Sequence, residues 1–233
     1  MVGRAPPGTF SIVACDPGRA YWGVAVSTKP ASVGATVPWA AWKVGAVATQ
    51  AMSNYYYGPD GLELLRRGLS AEEVVGKLTR ADGRRDHRQL AVVDRRGRSA
   101  AWTGPKCLDH ALHHLGDGYS CQGNMLASAT VVPAMAKAFE SSRGTLGTRM
   151  LRALEAGAAE GGDRRGIESA ALVVVHRERW FPKSWSDRWV DIRADRHRRP
   201  IAELGRLLRA DETETKRFLA SRAAALRKRR SPP

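Results

Sequence analysis

Residues 9–28 read TFSIVACDPGRAYWGVAVST, two β-rich runs on either side of a Pro17-Gly18 turn. Neither run alternates cleanly between apolar and polar residues, so the hairpin they predict is covered on both faces. A second pair follows, SVGATVPWA (32–40) and KVGAVATQA (43–51), again small, apolar and punctuated by glycine. Four strands in succession, each hidden on both sides, call for layers stacked on one another.

The texture then turns helical. GPDGLELLRRG (58–68) has Pro59 near a helix start and Gly68 at its end, and SAEEVVGKL (70–78) opens with a capping box, Ser70 and Glu73. HRQLAVVDRRGRSAAWTG (87–104) returns to a hairpin that turns at Arg96-Gly97, and GYSCQGNML (118–126) reads as a short strand entering a tight loop. VVPAMAKAFE (131–140) and LGTRMLRALEAG (146–157) are helical. IESAALVVVHRE (167–178) is a buried strand with RWVDIRAD (188–195) as an edge partner. PIAELGRLLRAD (200–211) is a helix with Pro200 at its first position, and after it ETETKRFLASRAAALRKRR (212–230) reads as an exposed basic helix that frays. Runs of strands alternating with runs of helices predict an α+β fold, a four-layer αββα sandwich of two stacked antiparallel sheets flanked by helices. The organisation expected is a leader over 1–8, a domain over 9–208 and a basic helix or tail over 209–233.

Composition narrows the class. The 233 residues are 43% hydrophobic, enough for a substantial core, and no apolar run approaches the roughly eighteen residues of a membrane span. No signal-peptide core follows Arg4. Cys15, Cys107 and Cys121 are an odd number at no zinc-ribbon spacing, which reads as reduced thiols in a cytoplasm. The formal charge is +15, and from Arg177 onward 17 Lys and Arg stand against 8 Asp and Glu. Such a segment attracts polyanions, nucleic acid among them, although a solvated basic surface is the plainer reading.

TFSIVACD, GVAVSTK, VGATVPWA, VGAVATQA, YGPDGLELLRRGLSAEEVV, the AVVDRRGR and AAWTG segments, GYSCQGNML and the GGDRRG and ESAALVVV segments together resemble the domain-of-unknown-function family numbered 1028, over about Thr9 to Leu208. That family is similar to the N-terminal nucleophile (Ntn) hydrolase-like superfamily, and the resemblance implies the four-layer sandwich already read from the strand order. It also implies a nucleophile at residue one of the working chain. Members resembling this chain begin at the Thr of TFSIVA, directly after Met. Here Met1–Gly8 intervene, so Thr9 takes that role only if Gly8–Thr9 is cut or translation starts nearer to it.

A freed Thr9 carries its own base, because an α-amine titrates near ~7.7–8.0. The same hydroxyl could release the leader by an N-to-O acyl shift at Gly8. An ammonium nearby keeps the amine neutral; Lys29 is the first candidate and Lys43 the second. Oxyanion and substrate contacts are assigned to Gln50, Asn54, Gln122, Gly123 and Asn124, as amide and backbone donors, with Gly123 allowing close backbone approach. Asp163, Arg164 and Arg165 of GGDRRG (161–166) offer guanidinium forks for a substrate carboxylate, and Ser169 follows at a strand start. KCLDHALHH (106–114) has ligand-like spacing if helical, but it lacks H-E-x-x-H and a second ligand pair. No metal and no organic cofactor are expected. The function expected is hydrolysis of a C–N amide bond, or acyl transfer from it, in a small amide or peptide-like substrate; the oligomeric state is left open, with a homodimer among the options. Two other classes stay open: a non-catalytic ligand-binding or assembly protein on this fold, and a polyanion binder acting through the basic C-terminus.

Overall fold

A computed structural model describes residues 8–178 and 186–228. The leader other than Gly8, and residues 229–233 of the basic tail, lie outside the described residues. Strands β1 (Thr9–Asp16), β2 (Tyr21–Thr28), β3 (Pro38–Ala41) and β4 (Gly45–Ala51) precede helices α1 (Tyr57–Arg66) and α2 (Ala71–Arg80). Strands β5 (Arg88–Asp94), β6 (Ser99–Thr103), β7 (Leu112–Gly116) and β8 (Tyr119–Asn124) follow, then helices α3 (Val131–Ser141) and α4 (Leu146–Ala159). Strands β9 (Ser169–Val175) and β10 (Arg188–Ala194) and helix α5 (Pro200–Lys228) complete the order.

The strands form two antiparallel sheets, β10-β9-β2-β1-β8-β7 and β3-β4-β5-β6. Three apolar layers separate the elements, as the doubly apolar hairpin requires. Phe10 and Ile12 of β1 face α3, α4 and α5 together with Met135, Leu154, Leu172 and Leu204. Val13 of β1, on the opposite face, meets Val24, Ala48, Ala91, Val93 and Val173 between the sheets. Val47, Leu90 and Val92 turn outward to Leu62 and Leu78 of α1 and α2. The molecule is therefore a four-layer αββα sandwich. The period-2 reversal of the strands puts successive residues of β1 into different layers.

Local signals hold in detail. Ser70 Oγ accepts from Glu73 N at 3.2 Å while Glu73 Oε2 accepts from Ser70 N at 2.7 Å, the reciprocal pair of a capping box. Two readings are corrected. The segment before Pro38 is a 3-10 turn (Val33–Ala35), not the first half of a strand. The two C-terminal helices are one: α5 runs unbroken from Pro200 to Lys228, with Ile201, Leu204 and Leu208 buried in its first turns. No Gly or Pro separates Leu208 from the basic stretch, so nothing stops the helix where the core ends. Among the described residues no helix is long and apolar enough to cross a membrane.

Candidate active site at the start of the first strand

The space between the sheets is apolar at one end and polar at the other. Thr9 stands abreast of Thr28 on β2 and of Asn124 on β8, while Ser11 stands abreast of Gln122. Gln50 and Gln89 are paired across β4 and β5 of the opposing sheet. All seven side chains are at most 2% exposed. Their hydrogen bonds interlock: Ser11 Oγ donates to Gln50 Oε1 at 2.6 Å and accepts from Gln122 Nε2 at 2.6 Å. Gln89 Oε1 accepts from Gln50 Nε2 (2.7 Å) and Asn124 Nδ2 (3.0 Å). Gln89 Nε2 in turn donates to Thr103 Oγ1, Leu112 O and Gly123 O at 2.8–3.1 Å. Buried amides are tolerated because each finds partners.

At the edge of this network lies a second cluster. Thr9 Oγ1 is 3.2 Å from Thr28 Oγ1. The carbonyl of Gly8 accepts from two groups, the hydroxyl of Thr28 and Arg165 Nη2 at 3.0 Å. Asp163, 1% exposed, binds Arg165 through both oxygens, Nε to Oδ1 at 3.0 Å and Nη2 to Oδ2 at 2.7 Å. Its Oδ2 also accepts from Lys29 N at 2.9 Å and lies 3.4 Å from Thr28 Oγ1. The GGDRRG loop can deliver a buried carboxylate because Gly161 and Gly162 take left-handed φ of 99° and 54°. A Cβ on Gly162 would also lie 2.8 Å from Phe10, so this turn seats directly on β1.

Several of the residues expected at the site are thus gathered: Thr9, Gln50, Gln122, Asn124, Asp163 and Arg165. The others are elsewhere. Lys29 contributes its backbone N–H, but its ammonium pairs with Glu168 at the surface, because the residue after Thr28 points to the opposite face of β2. Lys43 lies over the ring of Trp42 in the β3–β4 turn. Arg164 pairs with Asp109. Of the gathered residues, Gln122 has its amide committed to Ser11 and Ser120. The close approach at Gly123 is to Leu126, whose methyl carbons would lie 2.7 and 2.8 Å from a Cβ there. Ser169 Oγ accepts from Val33 N and donates to Pro30 O, pinning the loop after β2.

Asn54 belongs to another cluster, donating to Asp82 Oδ2 at 3.2 Å beside Tyr57 and Arg88, each 2.9 Å from the same oxygen. Burial alone pushes the Asp82 carboxyl up. The N–H of Arg84 and the side chains of Arg88, Tyr57 and Asn54 outweigh it and hold the group down from 3.8 to about 2. A depressed carboxyl stabilises the fold above its unfolded pKa, and that stability is lost as pH falls through the folded value. Asp82→Asn should therefore cost about 2 kcal/mol at pH 7, a difference that shrinks below about pH 4 and closes toward pH 2. Urea midpoints of both proteins across that range measure it; a pH-independent gap would refute the assignment.

The KCLDHALHH segment is not helical. His113 and His114 lie on β7, so the helical spacing is void: His113 Nδ1 is 2.9 Å from Thr103 Oγ1, and His114 stacks on Tyr119. Among the described residues no group of three or more His, Cys, Asp or Glu gathers as for a metal ion. Cys107 donates to Arg88 O at 3.2 Å, and burial pushes its thiol up to about 11, so it is no thiolate at neutral pH. Thr28 was missed in the sequence. Its only signal there was its place at the end of β2, which antiparallel pairing with β1 brings opposite Thr9.

Architecture and site together define a four-layer sandwich protein with a threonine, carboxylate and guanidinium cluster at the head of its central strand. The chain belongs to the family of unknown function DUF1028, whose model matches residues 9–204. It is similar to the crystal structure of protein SPO2555 from Silicibacter pomeroyi, also matched to DUF1028. The two share 34% identity over 87% of this chain and 88% of that one, with a TM-score of 0.78. No curated protein matches the chain.

Proposed function

We propose that this protein is an Ntn-type amidohydrolase that frees its own Thr9 and then cleaves a C–N amide bond in a small substrate. The observation that carries the reading is the Gly8 carbonyl, held between the Thr28 hydroxyl and the Arg165 guanidinium beside the Thr9 hydroxyl. Two donors on one carbonyl polarise it and stabilise the oxyanion formed on attack. In the self-cleavage step Thr9 Oγ1 adds to the Gly8 carbonyl carbon and gives its proton to Thr28 Oγ1, while the Thr28 proton, already donated to that carbonyl, moves onto its oxygen. The C–N bond breaks, the Thr9 nitrogen takes up a proton, and water hydrolyses the resulting ester to release Met1–Gly8. The freed α-amine then serves as base for Thr9, and Arg165, adjacent to the vacated Gly8 carbonyl, favours its neutral form. Arg165 thus takes the part first assigned to Lys29. Asp163 holds Arg165 in place.

The test is a chain that begins at Thr9, screened against small amides by release of amine. It should turn over at least one class, and Thr9→Ala in the same chain should not. Equal activity in both would refute the reading, and inertness of both across the screen would favour a ligand-binding role on the same fold.

A further inference from the structure

A cavity of about 210 Å³ is lined by Ala51, Met52, Leu108, Asn124 and Met125, with His87, Lys106 and Cys107 completing it. Asn124 is the register partner of Thr9, and Met125 bounds both the cavity and Gly8: a Cβ on Gly8 would lie 2.9 Å from Met125 Cβ. The cavity therefore lies behind Met125, one side chain from the acyl side of the Gly8–Thr9 bond.

Backbone strain concentrates around it. Ala51 and Met125 in its wall have φ of 65° and 50°, and Asp109 and His110, directly after Leu108, have 29° and 44°. Left-handed conformations cost non-glycine residues roughly 1–2 kcal/mol each and cluster where a site must hold a shape. Met125 N donates to Leu108 O at 2.7 Å, and Met125 O accepts from Arg164 N at 3.2 Å, so the strained wall is tied to the loops on either side.

We propose that this cavity is the acyl pocket of the site, shaped for a short aliphatic acyl group. The proposal rests on the reading of Thr9 as nucleophile. Four of its walls are aliphatic or thioether side chains, and methionines adapt to flexible apolar chains. Met52 and Leu108 are 42% and 45% exposed, apolar surface that a ligand would cover. Cys107 adds a neutral thiol, and the ammonium of Lys106 is engaged by Asp86 at 3.4 Å. The volume is below the roughly 300–1,000 Å³ typical of drug-sized ligands, so the group is small. A branch at the α-carbon is excluded in the position that an L residue's Cβ takes, where it would meet Asp163 Oδ1 at 2.8 Å as well as Met125. The substrate class is thus an amide of a short aliphatic carboxylic acid without an L-side α-branch, with its carbonyl in the place of the Gly8 carbonyl.

Binding of the product-like acids tests this without chemistry. The protein used is the chain from Thr9 to Pro233 carrying Thr9→Ala, which contains every strand and helix of the fold. Acetate, butyrate and hexanoate are titrated calorimetrically beside the two enantiomers of 2-methylbutanoate, isomers that differ only in which α-position carries the methyl. Affinity should rise about fourfold per added methylene until the cavity is full. The enantiomer whose methyl takes the L position should bind at least tenfold more weakly than the other, and Met125→Trp should abolish the dependence on chain length. Leu108→Trp, at an exposed position, makes the same test if Met125→Trp does not fold. No binding, equal binding of the two isomers, or chain-length dependence that survives a folded blocking variant would overturn the proposal. The same chain with Thr9 restored is assayed on the matching anilides. Ordered binding of the acids without turnover would remove the hydrolase reading and leave the pocket, and turnover without ordered binding would do the reverse.

Discussion

Purified full-length protein should lose Met1–Gly8, while a Thr9→Ala copy keeps them; intact mass reads the difference directly. The expectation follows from the geometry at Gly8, whose carbonyl already accepts from Thr28 and Arg165. Removing one such donor costs about 10²–10³-fold in rate at sites of this kind. Arg165→Met should slow cleavage by that order, and Thr28→Val more, because it removes both a donor to the carbonyl and the acceptor for the Thr9 proton. Thr9→Ser keeps a hydroxyl and should still cleave. Should wild type and Thr9→Ala both retain the leader after prolonged incubation, self-processing is wrong. Loss of the leader from both would assign the cut to an external protease.

The largest stability effect is expected from a residue that plays no chemical part. Gln89 is fully buried, and it accepts from Gln50 and Asn124 while donating to Thr103, Leu112 and Gly123. Gln89→Leu matches it roughly in size but strands two amide donors and at least two acceptors between the sheets. Each buried group left without a partner costs about 1–3 kcal/mol. A total loss of about 4 kcal/mol is expected, a large share of the roughly 5–15 kcal/mol that holds a domain together. Urea unfolding measures it. A loss under about 1 kcal/mol would mean that water replaces the amide and that the interlayer space is wetter at this end than its burial implies.

Much of the architecture was legible because it is written locally. The doubly apolar runs at 9–16 and 21–28, the Ser70–Glu73 box and the order of strand and helix runs each depend on neighbours in the chain. The misreadings have the same origin. SVGATV looked like a strand because small apolar residues suit one, and the Pro38 that follows left only a short strand next to a 3-10 turn. KCLDHALHH looked ligand-like only under a helical period that β7 does not have.

For the site, the family resemblance singled out Thr9, and residue type singled out the amides of β4 and β8 and the charged GGDRRG loop as donors for an oxyanion or a substrate carboxylate. Sequence alone could not decide which cation would stand beside Thr9. Lys29 is twenty residues from Thr9 and Arg165 more than one hundred and fifty, so spacing favoured the lysine. Two properties of the folded chain reversed that order. The side-chain period of two on β2 turns Thr28 inward and Lys29 outward, and the left-handed glycines before Asp163 fold the distant loop back over β1. Residue types and the layers they fill were determined by the chain itself. The choice of partners was decided by pairing register and by a turn, which exist only once distant segments have met.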